Sequence, residues 1–299
     1  MKKLSLFLSL LITFVACSKT EKPTNTPALN TERLIEDIQF ISSDMTQGRL
    51  VGTEGNRYAR EYIVGRFNEI GIEPYGDDYE HPFEFTRRNG DKRTGVNVIG
   101  IDQGTSDSVI VITAHYDHLG VRDSLIYNGA DDNASGTAGL IAIMDYFSKT
   151  EQNHTLIFAA LDGEEGGLRG ARALVQDSVL MDKVVLNINM DMIAQNDKNE
   201  LYAVGTYHYP QLKPVLENVI TGDVSLLFGH DTPEDGNQDW TSQSDHYPFH
   251  EMGIPFIYFG VEDHEYYHKA TDEFETIPQE FYKSSVQVIL NAVLEFDKR

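Results

Sequence analysis

A histidine and three aspartates stand at the ends of apolar segments, where a metal ion could be bound. His115 and Asp117 directly follow the β-branched run at 109–113, and Asp131 and Asp132 lie just before a helix start rich in small residues. In an open α/β sheet, ligands bind at the carboxyl ends of the strands. Imidazole and carboxylate donors without a thiolate suit zinc, with cobalt or manganese as substitutes. This segment therefore predicts a metal site.

Histidine or acidic side chains also follow three later apolar segments. They are Glu164 and Glu165, then Asp191, and finally His264 and His268. If the segments are parallel strands, all these side chains lie at one edge of the sheet. The number of carboxylates indicates two ions that share an aspartate; two ions roughly 3.5–4 Å apart polarise a carbonyl and lower the pKa of a bound water from 15.7 to about 7. Because adjacent side chains point in different directions, one glutamate of the 164–165 pair can bind metal while the other accepts the proton of the water.

Each of these segments alone has a simpler interpretation. Aspartate and glycine in GADDNASG are ordinary turn residues, and Glu-Glu before Gly-Gly is ordinarily a solvated turn. Residues 264–268 (HEYYH) also match His-Glu-x-x-His, the helical zinc site of another metalloprotease class. That site needs a helix, whereas this segment follows a strand soon after Gly260, and it would leave His115 and Asp191 without a role. We therefore favour one site built from four strand ends.

The elements that would position these residues alternate between strand and helix. The predicted strands are 81–85, 95–101, 109–113, 154–161, 184–190 and 254–259; the predicted helices begin with one from an N-cap at Thr31 through Ile41 and continue with 54–70, 134–147, 166–176, 210–220 and 278–296. The segment from Gly48 to Gly55 is predicted to be a loop. Fully apolar strands that alternate with helices indicate an α/β fold, with a mostly parallel central sheet covered by helices on both faces. We expect a single domain.

The N-terminus has the pattern of a targeting segment. Lys2 and Lys3 precede an apolar run at 4–16, which is too short to span a bilayer but long enough for a signal peptide. Cys17, the only cysteine, follows two small residues, and the pattern resembles a bacterial lipobox, in which the cysteine is lipidated. Phe14 stands where leucine is commoner. We predict a lipoprotein signal peptide over 1–17, with ordinary secretion as the alternative.

Composition limits the partners of the mature chain. Residues 18–30 are polar and rich in Pro and Thr, which is typical of a flexible tether. The net charge of −23 makes nucleic acid an unsuitable partner, because a negative surface repels phosphate. We expect residues 31–299 to be held in the bacterial cell envelope, at the periplasmic or cell-surface face of a membrane, by the lipid on Cys17 alone. Oligomeric state stays open.

Five motifs taken together resemble those of a known family. In chain order they are His115-x-Asp117, GADDNASG at 129–136, GEEG at 163–166, NMDM at 189–192, and Tyr267-His268 with Asp272. They are similar to the motifs of the co-catalytic zinc aminopeptidases, the family that also contains glutaminyl cyclases and glutamate carboxypeptidases. The resemblance extends from the second predicted helix to the C-terminus. It implies that residues 31–299 are a zinc peptidase domain with the phosphorylase/hydrolase-like architecture of zinc exopeptidases.

The resemblance also implies roles for individual residues. One Zn²⁺ would be held by His115 and Asp191, the other by Glu165 and His268, and Asp132 would bridge them because the family's bridging aspartate directly precedes the small-residue segment. Glu164 would be the general base that passes the proton of the water to the leaving amine. Asp117 would orient His115 through its other ring nitrogen. Tyr267 would steady the oxyanion, an inference that rests on its position next to a ligand.

The substrate is less well determined by the sequence. An aminopeptidase must bind a free α-amine with acidic or carbonyl groups, a carboxypeptidase must bind a carboxylate with basic groups, and cyclases, with sites that resemble a one-zinc version, attack intramolecularly. The excess of acids, with Asp245 and Glu262 in late loops, favours an amine and hence an aminopeptidase that acts on peptides. The alternative from another class is a surface lipoprotein that captures a metal or a peptide without turnover.

Other histidines receive no chemical role at this stage. We interpret them as surface or structural residues: His81, His118, His154, His208, His230 and His250. The segment Ser244-Asp245-His246 resembles a family segment near the substrate pocket, but a serine or aspartate at this position is also typical of a helix N-cap.

Overall fold

A computed structural model of the protein describes residues 28–87 and 90–299. The predicted signal peptide (1–17) and nearly all of the predicted tether (18–30) lie outside these residues. Within the described part of the chain, no helix has the length and apolar character needed to cross a bilayer.

A single large sheet forms the centre of the fold, and a two-stranded hairpin lies beside it. The strands are β1 Glu73–Pro74, β2 Glu80–Thr86, β3 Lys92–Asp102, β4 Ser106–His115, β5 Gly120–Arg122, β6 Leu125–Tyr127, β7 His154–Leu161, β8 Val184–Met190, β9 Glu200–Val204, β10 Ser225–Leu227 and β11 Phe256–Gly260. The order in the large sheet is β1-β3-β7-β4-β8-β11-β9-β10, β2 also pairs with β3, and β5 and β6 form the hairpin.

The four central strands are parallel. β4 pairs in parallel with both β7 and β8, and β8 pairs in parallel with β11. β3 and β9 flank this group and run antiparallel to it, while β10 is parallel to β9. Parallel strands with helices on both faces are buried on both sides, which explains why β7 is buried along its whole length.

Helices cover both faces of the sheet. They are α1 Thr31–Ile41, α2 Glu54–Ile70, α3 Gly136–Phe147, α4 Arg169–Leu174, α5 Ser178–Met181, α6 Lys213–Leu216, α7 Tyr247–Glu251 and α8 Gln279–Asp297. Successive residues of a strand point to opposite faces. Ile110 and Ile112 of β4 accordingly pack with α1, α2, α3 and α8, whereas Val109 and Val111 pack with α4 and α5. The predicted α/β class and single domain are confirmed.

Three elements were predicted with their observed bounds. They are the helix at 54–70 and the strands at 154–161 and 184–190. The helix is bounded by Thr53, whose side chain accepts a hydrogen bond from the Asn56 N–H, and by Gly71, which has a left-handed φ of 81°. These are the residue types that cap a helix at its two ends.

Other predicted bounds were wrong for local reasons. Asn30, not Thr31, is the N-cap of α1, because its side chain accepts a hydrogen bond from the Arg33 N–H. The helix predicted at 166–176 is confined to Arg169–Leu174, since Gly167 has a φ of 104° in the preceding turn. The helix predicted at 210–220 is a 3₁₀ turn and the short α6, whose first turn contains a proline.

Several elements were missed from the sequence. The predicted loop at 48–55 overlaps the end of a 3₁₀ segment at Asp44–Arg49 and contains the start of α2. An irregular turn, Ala130–Ser135, precedes α3 and has non-helical backbone angles at Asp132 and Asn133, so the helix predicted at 134–147 begins at Gly136. The short strands β9 and β10 extend the sheet beyond the part that long apolar runs identify.

Candidate metal centre

Four parallel strands that are neighbours in the sheet end at the same edge, and the predicted site residues follow them. β4 ends at His115, β7 leads to Glu164 and Glu165, β8 leads to Asp191, and β11 leads to the loop with His268. Parallel strands place their carboxyl ends on one side of a sheet. The structure therefore brings the predicted metal ligands together: His115, Asp132, Glu165, Asp191 and His268.

The first donor cluster consists of His115, Asp132 and Asp191, all buried. His115 Nε2 lies 3.1 Å from Asp191 Oδ1 and 3.6 Å from Asp132 Oδ1. The other ring nitrogen, Nδ1, lies 3.1 Å from the main-chain carbonyl oxygen of Asp117 and 3.7 Å from its carboxylate. Asp117 thus contacts the ring on the predicted side, with its carbonyl closer than its carboxylate.

The second donor cluster faces the other carboxylate oxygen of Asp132. His268 Nε2 lies 3.1 Å from Asp132 Oδ2 and 3.7 Å from Glu165 Oε1. His118, which we expected to be a surface or structural residue, is fully buried here, with Nδ1 2.8 Å from Glu165 Oε1 and 3.7 Å from Asp132 Oδ2. Asp132 therefore presents one oxygen to each cluster, as a bridging ligand would.

The spacing of the donors fits zinc. Bonds from zinc to nitrogen or oxygen are about 2.0–2.2 Å long, so two donors on a tetrahedral ion are separated by roughly 3.3–3.6 Å. The donor-to-donor distances in the two clusters run from 2.8 to 3.7 Å. Oε1 of Glu165 is also buried, with no hydrogen-bond partner among the described residues. A bound cation would satisfy that oxygen.

Asp272 fixes the backbone of the loop that carries the shared aspartate. Its carboxylate accepts hydrogen bonds from the N–H of Asp131 at 3.0 Å and from the N–H of Asp132 at 3.1 Å. The side chain of Asn133 donates to the carbonyl oxygen of Met190 at 2.9 Å, and the Asp132–Asn133 peptide bond is cis. The backbone is thus held by neighbours, which leaves the carboxylate of Asp132 available to ligands.

Arg49 lies fully buried beneath this loop. Its guanidinium donates hydrogen bonds only to main-chain carbonyl oxygens within the described residues. The acceptors are the carbonyls of Ile41, Tyr116, Asn128, Gly129 and Asp132. Burial lowers the pKa of Arg49 to about 10, so the group keeps its charge at neutral pH. Arg49 therefore joins the start of the loop after β4 to the end that carries Asp132, and adds a positive charge below the carboxylates.

Glu164 lies beside the first cluster and is positioned through its backbone. Its N–H donates to Asp117 Oδ1 at 3.0 Å, and Asp117 is fully buried. Burial raises the pKa of Glu164 well above its ordinary value, and the charges of Asp191 and Asp245 raise it further against the opposing effect of His115. A carboxylate with a high proton affinity next to the donor clusters has the properties of a general base.

A cavity of about 540 Å³ opens over the two clusters. Besides the acidic ligands and His268, it is lined by Gly167, Leu168, Arg172, Met192, Ser242, Gln243, Tyr247 and Tyr267. The ring of Tyr267 stacks on the ring of His268, with centroids 4.0 Å apart. Burial raises the pKa of Tyr267, so its hydroxyl keeps its proton and can donate a hydrogen bond into the cavity.

Three non-glycine residues on the cavity wall have left-handed backbones. The φ angles are 58° at Leu168, 56° at Met192 and 54° at His268. A residue with a side chain in such a conformation costs about 1–3 kcal/mol, and these residues concentrate at functional sites. The surrounding structure must therefore hold the cavity wall in place.

Several buried carboxylates lie close together at the site, and their pKa values reflect this. Burial raises the pKa of Glu165, Asp245 and Asp272 to about 7, and neighbouring carboxylates add to the shift. At His115 burial opposes protonation, but the charges of Asp191 and Asp117 outweigh it and raise the pKa well above its ordinary value. Neighbouring carboxylates thus raise the pKa in both groups, because their negative charge favours a bound proton.

The segment Ser244-Asp245-His246 lies at the site, and the N-cap interpretation does not apply. Ser244 Oγ donates to Asp191 Oδ2 at 2.7 Å, and α7 begins later, without a side-chain cap. Asp245 is buried near the first cluster. The segment thus supports the metal ligand at the end of β8.

The alternative His-Glu-x-x-His site is not formed. Residues 264–268 make a turn rather than a helix, and the two histidines face different partners. His264 Nε2 lies 3.0 Å from Asp131 Oδ2, whereas His268 Nε2 faces Asp132. Glu265 is exposed.

Two residues of the site had no role in the sequence analysis. His118 lies three residues after His115, in the loop that follows β4, and this closeness in sequence was the available signal for its proximity to the site. Arg49 had none, because its partners are main-chain carbonyls that are far away in sequence.

Comparison with known proteins identifies the family. The sequence model of peptidase family M28 matches residues 97–293, which include all the donors of both clusters. The chain belongs to peptidase family M28.

The chain is also similar to a curated relative in sequence and to solved structures in fold. The chain is 27% identical to aminopeptidase YwaD of Bacillus subtilis over 225 residues, which are 69% of this chain and 46% of the relative. It thus matches less than half the length of that protein. Among solved structures, Porphyromonas gingivalis glutaminyl cyclase has a TM-score of 0.74 at 16% identity, covering 90% of this chain and 99% of the cyclase. The aminopeptidase from Aneurinibacillus sp. strain AM-1 has a TM-score of 0.69 at 16% identity, covering 88% and 93%.

Replacement of Arg49 by lysine should destabilise the fold strongly. A hydrogen bond to a charged group contributes roughly 1.5–3 kcal/mol, and an ammonium cannot reach the same set of carbonyls. We expect the free energy of unfolding, measured in urea, to fall by at least about 3 kcal/mol. Arg57→Lys is the matched control, because the contacts of Arg57 with Glu54, Glu61 and the Tyr58 ring lie at the exposed surface. Equal stability of the two variants would contradict the role given to Arg49.

Proposed function

We propose that the protein is an aminopeptidase that uses two Zn²⁺ ions to release N-terminal residues from peptides. The observation that carries this proposal is the pair of donor clusters that share the two oxygens of Asp132. Family membership and the likeness to aminopeptidase YwaD support it. His115, Asp132 and Asp191 would hold one ion, and Asp132, Glu165 and His268 the other.

Glu164, Tyr267 and Asp117 would have different roles in hydrolysis around these ions. Zinc, when bound, would polarise the scissile carbonyl and lower the pKa of the attacking water. Glu164 accepts the proton of that water and donates it to the leaving amine. Tyr267 donates a hydrogen bond from its protonated hydroxyl to the carbonyl oxygen as negative charge develops there. Asp117 contacts both the Glu164 N–H, through its carboxylate, and the His115 ring, through its main-chain carbonyl, and so fixes their relative positions.

The charge of the cavity favours an amine over a carboxylate as the recognised terminus. Its walls contain Asp132, Glu164, Glu165 and Asp191 close to the donor clusters. Arg172 also lines the cavity, but its guanidinium is paired with Glu251 at 2.8 Å. A C-terminal carboxylate therefore finds no free cation among the cavity-lining residues that the structure describes, and the excess of acids in the cavity favours an amine.

Replacement of Glu164 by glutamine should remove turnover and leave zinc binding intact. Loss of a general base lowers the rate by about 10²–10⁴-fold. We expect this loss in kcat, measured on aminoacyl-nitroanilides, with the zinc content unchanged. Glu265→Gln is the matched control, since Glu265 is an exposed glutamate of the loop with His268. The reverse result, an inactive Glu265→Gln and an active Glu164→Gln, would contradict the assignment of the base.

Removal of zinc should abolish release of free N-terminal residues. We expect the purified chain to contain about two zinc ions, in keeping with two-metal hydrolytic sites. It should lose hydrolysis of aminoacyl-nitroanilides after chelation and regain it when zinc is returned, while N-blocked peptides stay intact throughout. Turnover of N-blocked peptides alone, or none on any free amine with two metals bound, would move the activity to a carboxypeptidase, a cyclase or a binding protein.

We also propose that the enzyme is tethered in a bacterial envelope by a lipid on Cys17, where it would trim incoming peptides. Support comes only from the sequence pattern around Cys17 and the polar segment after it. A fatty-acid analogue should label the wild type, and Cys17→Ala should be unlabelled and leave the membrane fraction. Equal labelling of the two proteins would exclude the anchor.

A further inference from the structure

We propose that His118 is an additional ligand of the second metal ion, so that protein donors close the second site while the first keeps an open position. This inference rests on the two-metal site proposed above. It adds a residue to the ligands that the family resemblance implies, and it makes the two sites chemically different.

The fold holds the His118 ring in one orientation. The side chain of His118 is fully buried, and its main-chain N–H donates a hydrogen bond to the carbonyl oxygen of Arg49 at 3.4 Å. Gly129 packs against the ring so closely that a Cβ there would lie 2.5 Å from Cδ2 and 2.7 Å from Cγ. Cδ2 and Nδ1 are the two ring atoms attached to Cγ. The Gly129 backbone therefore lies against the Cδ2 side of the ring, and the Nδ1 side faces Asp132 and Glu165.

The contact between His118 and Glu165 is not a hydrogen bond. Nδ1 and Oε1 lie 2.8 Å apart, yet both are buried without a hydrogen-bond partner among the described residues, because Nδ1 does not direct a hydrogen at the oxygen. Two buried electronegative atoms that approach each other without a hydrogen bond are unfavourable. A cation bound to both removes that cost.

The ring nitrogens of His118 and His268 face the same two carboxylate oxygens. His118 Nδ1 is 2.8 Å from Glu165 Oε1 and 3.7 Å from Asp132 Oδ2, and His268 Nε2 is 3.7 Å and 3.1 Å from the same two atoms. The edge of a tetrahedral zinc site is roughly 3.3–3.6 Å. The side chain of His268 is 41% exposed and that of His118 is 0% exposed, so the imidazoles approach from the cavity side and the buried side.

The difference in donors gives the two ions different tasks. Zinc sites with four protein ligands are closed and structural, whereas catalytic sites have three protein ligands and an open position. The first cluster has three, namely His115, Asp132 and Asp191. Substrate and water would therefore enter at the first site. The second site would hold its ion more tightly, because it offers two imidazoles where the first offers one.

X-ray absorption at the zinc edge tests the proposal without any variant. In the full chain, purified in detergent and loaded with two zinc ions, we expect three imidazoles shared between the two ions. Two imidazoles for two ions would overturn the assignment of His118 and leave the two-metal site intact. A chain that binds no zinc would instead contradict the proposed function itself.

Zinc titration against a chromophoric chelator gives a second test. In the wild type we expect one tight and one weaker site. In His118→Ala and His118→Asn the tight site should weaken by more than about 100-fold, beyond the roughly 10–100-fold caused by loss of a group that only orients a ligand. His154→Gln is the matched control, because His154 is a buried histidine at the opposite end of β7. A smaller loss in both His118 variants, or an equal loss in the control, would overturn the proposal.

Discussion

The fold depends on concentrating buried negative charge at one edge of its sheet. Seven aspartates at this edge are buried: Asp117, Asp131, Asp132, Asp162, Asp191, Asp245 and Asp272. Taking a carboxylate out of water is costly unless it is paired, hydrogen-bonded or bound to a metal. Some of these groups accept backbone N–H bonds, as Asp272 does from the bridging loop. Asp132 and Asp191 instead face the histidines of the donor clusters.

Arg49 offsets part of this charge without occupying the ligands. A buried arginine usually pairs with a carboxylate in a bidentate geometry. Here it binds main-chain carbonyls instead, so it lowers the electrostatic cost of the acids above it while Asp132 and Glu165 keep their oxygens free. The same bonds fix both ends of the loop after β4. Charge balance and loop geometry are therefore supplied by one side chain, which explains why it is fully buried.

Parts of this architecture were predictable because they depend on local sequence. The helix at 54–70 has cap residues at both ends, and the buried strands at 154–161 and 184–190 are continuous apolar runs. The convergence of the ligands followed from parallel strands sharing one edge. The bounds near 166 and 214 failed because glycine turns and a proline override helical periodicity. Arg49 was not predictable, since its partners are main-chain carbonyls far away in sequence. The position of His118 close to His115 indicated proximity to the site, but no local pattern specifies its contact with Glu165.

The fold is similar to that of both an aminopeptidase and a glutaminyl cyclase, two enzymes that catalyse different reactions. Both solved structures superpose over about nine-tenths of this chain at 16% identity, so the shared sheet alone does not select the reaction. The choice of reaction must therefore be made by the loops at the carboxyl edge of the sheet. A single residue in these loops can add or remove a donor at the site. In this chain those loops bring His115, Asp132 and Asp191 together at that edge. Those donors are buried, Ser244 contacts Asp191 and the carbonyl of Asp117 contacts His115, so bringing them together at one edge of the sheet carries a considerable electrostatic cost. A cation bound among these donors, as the proposed function requires, would offset that cost.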